Sequence, residues 1–540
     1  MAGAGPVAGG TKNAADHDLD RGTAMSQPPP PPGGPVRPGP YGGPPPPVPP
    51  GASVPVPPPG PYGAAPYGQP YPAQQPYPVP PVPPVPPGPG GGGRRGRLAG
   101  VVAGVVAAVL VVAGGVWFWA AGDHGHHDRP LPAPVAGHQA DGRVRWTVPA
   151  PAIPKGRLVA PVPGLWFDGD EVVKQSPDAV TGYDLASGAQ RWTVAAPQGA
   201  TCVSATDLVA GRVAVQYGAH CENVMVVDVR AGRMLWHKPL PAPTDSLLPA
   251  TDAFQSTDMA LSGDTVAVTW GPSVATMAYQ ASTGRELWHS SEGSPCHDKG
   301  FGGGAQLIEV YQCSGSGNPN HVSLVDPASG KPVWTWDAPA GTDVRNVVST
   351  KPVVIGLSAN TGLTDLWDID GGRLGGRISL GRGSGDLGRY AISCPAGGRM
   401  TPCRNVAVDG GTLYLATVDH PGHAKGTRTN EIAAFDLATG DGRWLSSSQE
   451  RPMDLVTVEG SSVIAYETPP ADRGGTVLKI DTGTGKATPY TTFAAATASR
   501  EQPFQGSWDL AEGWHDDTLV LALAGIAAGA RLPYLMATLR

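Results

Sequence analysis

From about residue 138 to the C-terminus, apolar and polar positions alternate in short runs broken by Gly, Asp and Ser. Stretches such as "DLVAGRVAVQYG", "LSGDTVAVTWG", "VAVDGGTLYLATV", "VTVEGSSVIAYE" and "GWHDDTLVLALAG" place apolar residues at every second position on both sides of a turn. Less regular versions are "VPGLWFDGDEVVKQ", "GGAQLIEVYQ" and "VVSTKPVVIGL". This pattern predicts pairs of half-buried antiparallel strands. After each hairpin comes a third apolar run, a Ser/Thr-Gly step and a fourth run carrying a Trp. "VTGYDLASGAQRW" ends at Trp192, and the corresponding runs end at Trp236, Trp288, Trp334 and Trp444. The fragment "DGRVRW" places Trp146 four residues after Gly142. Two copies, around Gly372 and Gly485, keep the turn and lose the Trp.

The turn glycines are 142, 188, 232, 284, 330, 372, 440 and 485, spaced by 46, 44, 52, 46, 42, 68 and 45 residues. A period in the forties with four short strands per unit predicts the blade of a β-propeller. The chain ends fit one shared blade. "LPYLMATLR" reads as a third strand with no fourth after it, and "DGRVRWTVPAP" as a fourth with no third before it. Joined, they remove the free edges that an open sheet leaves. The fold expected is all-β, an eight-bladed β-propeller with split-blade closure over 138–540.

Local chemistry explains the turn motif. Asp184, Asp228, Asp326, Asp368, Asp436 and Asp481 each stand four residues before a turn glycine, where a carboxylate can bond the turn's backbone. Gln280 and His138 take that place in the other two copies. Each Trp, placed at the end of the outer strand, can lie toward the neighbouring blade and give its indole N–H to a carbonyl there. The Trp set is thus expected to be structural, a blade-docking device.

Composition changes the picture upstream. Of 62 prolines, 32 fall in residues 1–97, in runs such as "PPPPPGGP". With few aliphatic residues, 1–97 is expected to be disordered and proline-rich, a spacer with polyproline II character. Leu98–Ala120 is uncharged over 23 residues, with Arg94, Arg95 and Arg97 before it and Asp123 and Asp128 after it. A helix of that length, ~34 Å, spans a bilayer. The arginines orient 1–97 to the cytoplasm. The expectation is a single-pass transmembrane helix at 98–120, an extracellular stalk at 121–137 and a propeller outside the cell. "DHGHHD" at 123–128 reads as part of the hydrated stalk, and no metal site is expected.

The six cysteines form three local pairs, Cys202/Cys221, Cys296/Cys313 and Cys394/Cys403. An even count beyond a membrane segment suggests disulfides in an oxidising compartment, with other pairings open. No pair has zinc-site spacing. Residues 121–540 hold 32 Lys+Arg against 42 Asp+Glu, which argues against a nucleic-acid partner. "FGGGA" at 301–305 and "GSGNPNH" at 315–321 read as plain loops. "DDTLVLALAGIAAGA" has only 13 uncharged residues before Arg531, too few for a second span, so buried strands are expected.

The repeated Asp-x-x-[Ser/Thr]-Gly-x-x-x-Trp turn resembles the tryptophan-docking repeat of the pyrroloquinoline quinone (PQQ) type β-propellers, over roughly 138–540. In quinoprotein dehydrogenases the resemblance implies PQQ and calcium over the ring centre, a disulfide between adjacent cysteines and an Asp base. This sequence has no Cys-Cys pair and no Cys-x-x-Cys-His haem site. No catalytic or cofactor-binding residue can be carried over, and no cofactor is expected. The other branch is non-enzymatic and includes the lipoprotein that assists outer-membrane protein assembly and the sensor propellers of some bacterial Ser/Thr kinases. This chain lacks both a kinase domain in 1–97 and a lipidation cysteine before Cys202. The expected function is that of a membrane-anchored binding or scaffolding module for an envelope protein partner. The alternatives are a membrane-tethered PQQ-dependent dehydrogenase with calcium, or a sensor of a small ligand in the propeller funnel.

Overall fold

The computed structural model describes residues 142–540 except 154–157, 242–256, 271–274, 291–293, 359–361, 382–387, 396–398, 450, 471, 506–509 and 531. The predicted proline-rich region 1–97, the span 98–120 and the stalk 121–137 lie outside these residues. Among the described residues no helix is long and apolar enough to cross a membrane.

Eight antiparallel four-stranded sheets account for nearly all of the described chain. Seven are built from strands taken in chain order, spanning 165–195, 200–239, 257–289, 296–337, 343–379, 406–445 and 453–492. We number these blades one to seven. The eighth combines Leu510–His515, Thr518–Leu523 and Tyr534–Leu539 with Val144–Pro149 from the other end of the chain. There Val144 pairs with Leu539 and Val148 with Met536, and Arg143 and Arg540 exchange backbone hydrogen bonds of 3.0 and 3.1 Å. Innermost strands of successive blades touch from blade two round to blade one, and Trp166 of blade one donates its indole N–H to Ala205 O of blade two at 3.3 Å, so the ring is closed. The 8-residue helix Ala498–Gln505 links blades seven and eight.

In several blades the second strand is wholly buried. Thr265–Trp270, Val353–Ser358 and Thr518–Leu523 are buried at every position. A strand with sheet neighbours on both edges and blades on both faces has no wet side, so alternation gives way to continuous burial. This explains the apolar run at 518–530: its first part is this buried strand, and Gly525–Ala527 pairs with Val159–Pro161.

In six blades the fourth strand carries a bulge one residue before the Trp. The pairing skips Arg145, Arg191, Leu235, Leu287, Val333 and Arg443, and resumes at Trp146, Trp192, Trp236, Trp288, Trp334 and Trp444. The Trp therefore lies within the outer strand and not at its end, a correction to the sequence reading. The bulge adds local twist and re-aims the indole out of its own sheet. A bulge is a two-against-one mismatch between strands and leaves no mark in one strand's sequence.

Candidate functional site

Each docking Trp lies on the turn glycine of the next blade. A Cβ at Gly188, Gly232, Gly284, Gly330, Gly372 or Gly485 would come within 2.5, 2.5, 2.8, 2.6, 3.1 or 2.6 Å of the ring of Trp146, Trp192, Trp236, Trp288, Trp334 or Trp444, respectively. All six glycines have positive φ. These turns need glycine twice, for the backbone and for the ring above it. The indole N–H of Trp146 donates to Leu185 O at 3.0 Å, and those of Trp236, Trp288 and Trp444 donate to Ala281, Pro327 and Thr482 O at 2.7, 2.9 and 2.9 Å. Trp192 differs, since its buried indole N–H makes no hydrogen bond. The turns are held by the aspartates. Asp184, Asp326 and Asp481 accept the backbone N–H and the hydroxyl of Ser187, Ser329 and Thr484.

Where the fifth blade lacks a Trp, Gly376 takes its place. Its backbone N–H donates to Leu437 O at 2.7 Å, the carbonyl equivalent to those the indoles use, and a Cβ on Gly376 would meet Gly440 N at 2.3 Å. The blades here dock backbone to backbone. The sequence shows the missing Trp but not its replacement.

The 68-residue spacing between Gly372 and Gly440 marks the feature that sequence reasoning left unexplained. It lengthens the link between blades five and six, and residues 388–395 and 399–405 lie over the channel. Cys394 and Cys403 form a disulfide at its neck, beside paired Ser393 and Arg404. Beyond the neck the segment touches blade after blade. Thr401 Oγ1 meets Thr206 Oγ1 of blade two at 2.8 Å, and Met400 O accepts Val347 N of blade five at 3.1 Å. Met400 is buried among blades four and five. The other pairs, Cys202–Cys221 and Cys296–Cys313, are also disulfides. Cys296 and Cys313 face each other in a strand pair that exists without them, whereas the Cys394–Cys403 loop has no sheet to hold it.

Under this cover lies a cavity of about 500 Å³. Its walls come from the inner strands of blades one, two, six, seven and eight, including Trp166, Leu455 and Leu510, and from Arg399, Arg404 and the disulfide itself. Three carboxyls face the channel, and of their oxygens Glu512 Oε1 is buried without a hydrogen-bond partner. Asp258 accepts Phe301 N at 2.8 Å, Asp454 accepts Asn405 Nδ2 at 3.3 Å, and Glu512 lies 3.5 Å from Arg404. Burial pushes Asp258 up to about 7 and Glu512 up to about 8, and it raises Asp454. For Glu512 the nearby charge of Asp454 adds to burial, and Arg404 opposes both. Among the described residues no three His, Cys, Asp or Glu side chains converge as metal ligands. The channel carboxylates belong to different blades and do not converge on one point, so they do not fit a calcium ion.

The buried Glu512 implies a pH dependence. Its folded pKa lies above its ordinary value near 4.5, so between about 4.5 and 8 the folded chain holds a proton that the unfolded chain releases. Stability from this group is greatest below pH 4.5 and falls as pH rises toward 8. Glu512→Gln is expected to remove that share of the slope, raising the melting temperature relative to wild type at pH 8 more than at pH 5. Parallel melting curves of the two proteins across this range would refute the assignment.

The fold and its repeat define the class: an eight-bladed propeller closed by a split blade and docked by tryptophans. Within it, residues 131–335 match the family described as outer membrane protein assembly factor BamB. Solved structures with a similar chain path include BamB from Moraxella catarrhalis, 14% identical, covering 70% of this chain and 92% of that one with a TM-score of 0.39. The computationally designed protein Ika8 is 14% identical over 74% of this chain and 99% of that one, with a TM-score of 0.43. The quinohemoprotein alcohol dehydrogenase from Comamonas testosteroni is 12% identical over 74% and 76%, with a TM-score of 0.40. No curated protein matches the chain.

Proposed function

We propose that the protein is a binding or scaffolding module of the cell envelope, anchored by the span at 98–120 with its propeller outside the cell. One observation carries this reading: the channel is covered by the protein's own residues 388–395 and 399–405, pinned from blade two to blade eight. A propeller whose channel is covered by its own chain offers its rim and faces to a partner. The three disulfides suit an oxidising compartment, in keeping with that location.

The cavity favours a second reading, in which the funnel holds a small molecule. A site of this size with Trp166, a disulfide and two arginines has the dimensions and apolar walls of a ligand pocket. Titration of the purified full chain with PQQ and calcium separates the two readings, followed by quinone absorbance and by dye reduction with alcohols and aldoses. The expected result is no saturable binding at micromolar cofactor and no turnover. Saturable binding with turnover would overturn the scaffold reading.

A further inference from the structure

Departures from the regular blade gather on one face of the ring. Strands alternate in direction, so first-to-second and third-to-fourth turns emerge on one side, and second-to-third and blade-to-blade links on the other. The first side consists of short turns, including the Asp-anchored ones. The second carries the helix Ala498–Gln505, the small sheet of Val159–Pro161 with Gly525–Ala527, all three disulfides and the channel cover. It also carries a finger in blade six, where His420–Pro421 pairs with Arg428–Thr429.

Cover and finger are joined at their bases: Val418 N donates to Arg389 O at 3.0 Å, and Ala391 N to Ala416 O at 2.9 Å. Residues 388–405 and 417–431 together hold five basic residues, Arg389, Arg399, Arg404, Lys425 and Arg428, against two acidic residues, Asp419 and Glu431, and Glu431 is engaged by Thr417 and His420. The chain beyond residue 120 is acidic by 32 against 42, so this is a local reversal of sign. Arg389 and Lys425 are exposed and Arg399 is partly exposed, and among the described residues none of the three makes an ion pair. Within the patch Arg404 lies 3.5 Å from Glu512 and Arg428 3.8 Å from Asp419, so the uncompensated charge is that of Arg389, Arg399 and Lys425. Cationic groups left unpaired over an acidic body raise the local concentration of anionic partners and steer their approach.

We propose that this basic patch, formed where the channel cover meets the blade-six finger, docks an acidic polypeptide segment of a partner protein. The proposal rests on the binding-module reading and adds its surface and the chemistry of its partner. A lipid surface fits less well, because the exposed large apolar side chains, Leu158, Val159, Val333, Leu374 and Leu445, all lie outside the patch.

The test uses the full chain and a short fluorescent oligoglutamate, read by anisotropy. Saturable binding that weakens with added salt is expected. The triple variant Arg389→Glu/Lys425→Glu/Arg428→Glu should lose at least about tenfold in affinity. The turn-face control Arg285→Glu/Lys331→Glu should stay within about twofold of wild type. Equal loss in the control, no binding at low salt, or preference for phosphatidylglycerol vesicles over the peptide would each overturn the proposal. Peptide failure without PQQ turnover removes only this docking surface. PQQ turnover removes the module reading itself.

Discussion

Truncation after Pro533 is expected to abolish the native ring. The lost strand, Tyr534–Leu539, sits between Thr518–Leu523 and Val144–Pro149 and is the only link between the two ends of the chain in the eighth blade. Leu535, Met536, Ala537 and Leu539 are at most 2% exposed. Three large apolar side chains at about 2 kcal/mol each already approach the whole stability of a typical domain, about 5–15 kcal/mol. Two unpaired strand edges are exposed in addition. The measurement is urea unfolding followed by tryptophan fluorescence, with limited proteolysis beside it. A sharp transition near the wild-type midpoint would mean that the ring does not depend on this closure.

The second large effect is expected at the blade contacts. Trp288→Ala removes the ring that covers Gly330 and its hydrogen bond to Pro327, and should cost about 3 kcal/mol. Gly330→Ala places a Cβ 2.6 Å from the same ring at a φ of 68°, and should cost about 2 kcal/mol or more. If the two residues act as one contact, Gly330→Ala in the Trp288→Ala background should cost only the backbone share, about 1 kcal/mol. Strict additivity of the two unfolding free energies would separate the Trp from the glycine and refute the docking account.

Much of the fold was legible because a propeller repeats its signal. One Asp-x-x-Ser-Gly turn says little, but eight turn glycines at a near-constant period fix the unit, and the incomplete units at the two ends fix the closure. The contacts between units were less legible. The bulge at Arg191 or Leu235 depends on the partner strand, and the backbone docking at Gly376 looks in sequence like a lost Trp. The channel cover was visible only as an interval of 68 residues with a cysteine pair inside it. Its path over blades two to eight is set by contacts such as Thr206–Thr401, separated by 195 residues, which no local pattern encodes. The basic patch escaped for a related reason: its residues come from two segments that become neighbours only in the folded ring, inside a chain whose overall charge has the opposite sign.

The strand Val144–Pro149 is the outermost of its blade and the first that tension from the preceding residues would reach. Its only sheet partner is Tyr534–Leu539, the last strand of the chain. A pull along the strand axis loads that whole row of hydrogen bonds at once, in shear, whereas a sideways pull breaks them singly, like a zip. The ring's mechanical strength therefore depends on the direction of the force, and a tether leaving parallel to this strand would let the propeller bear load without opening.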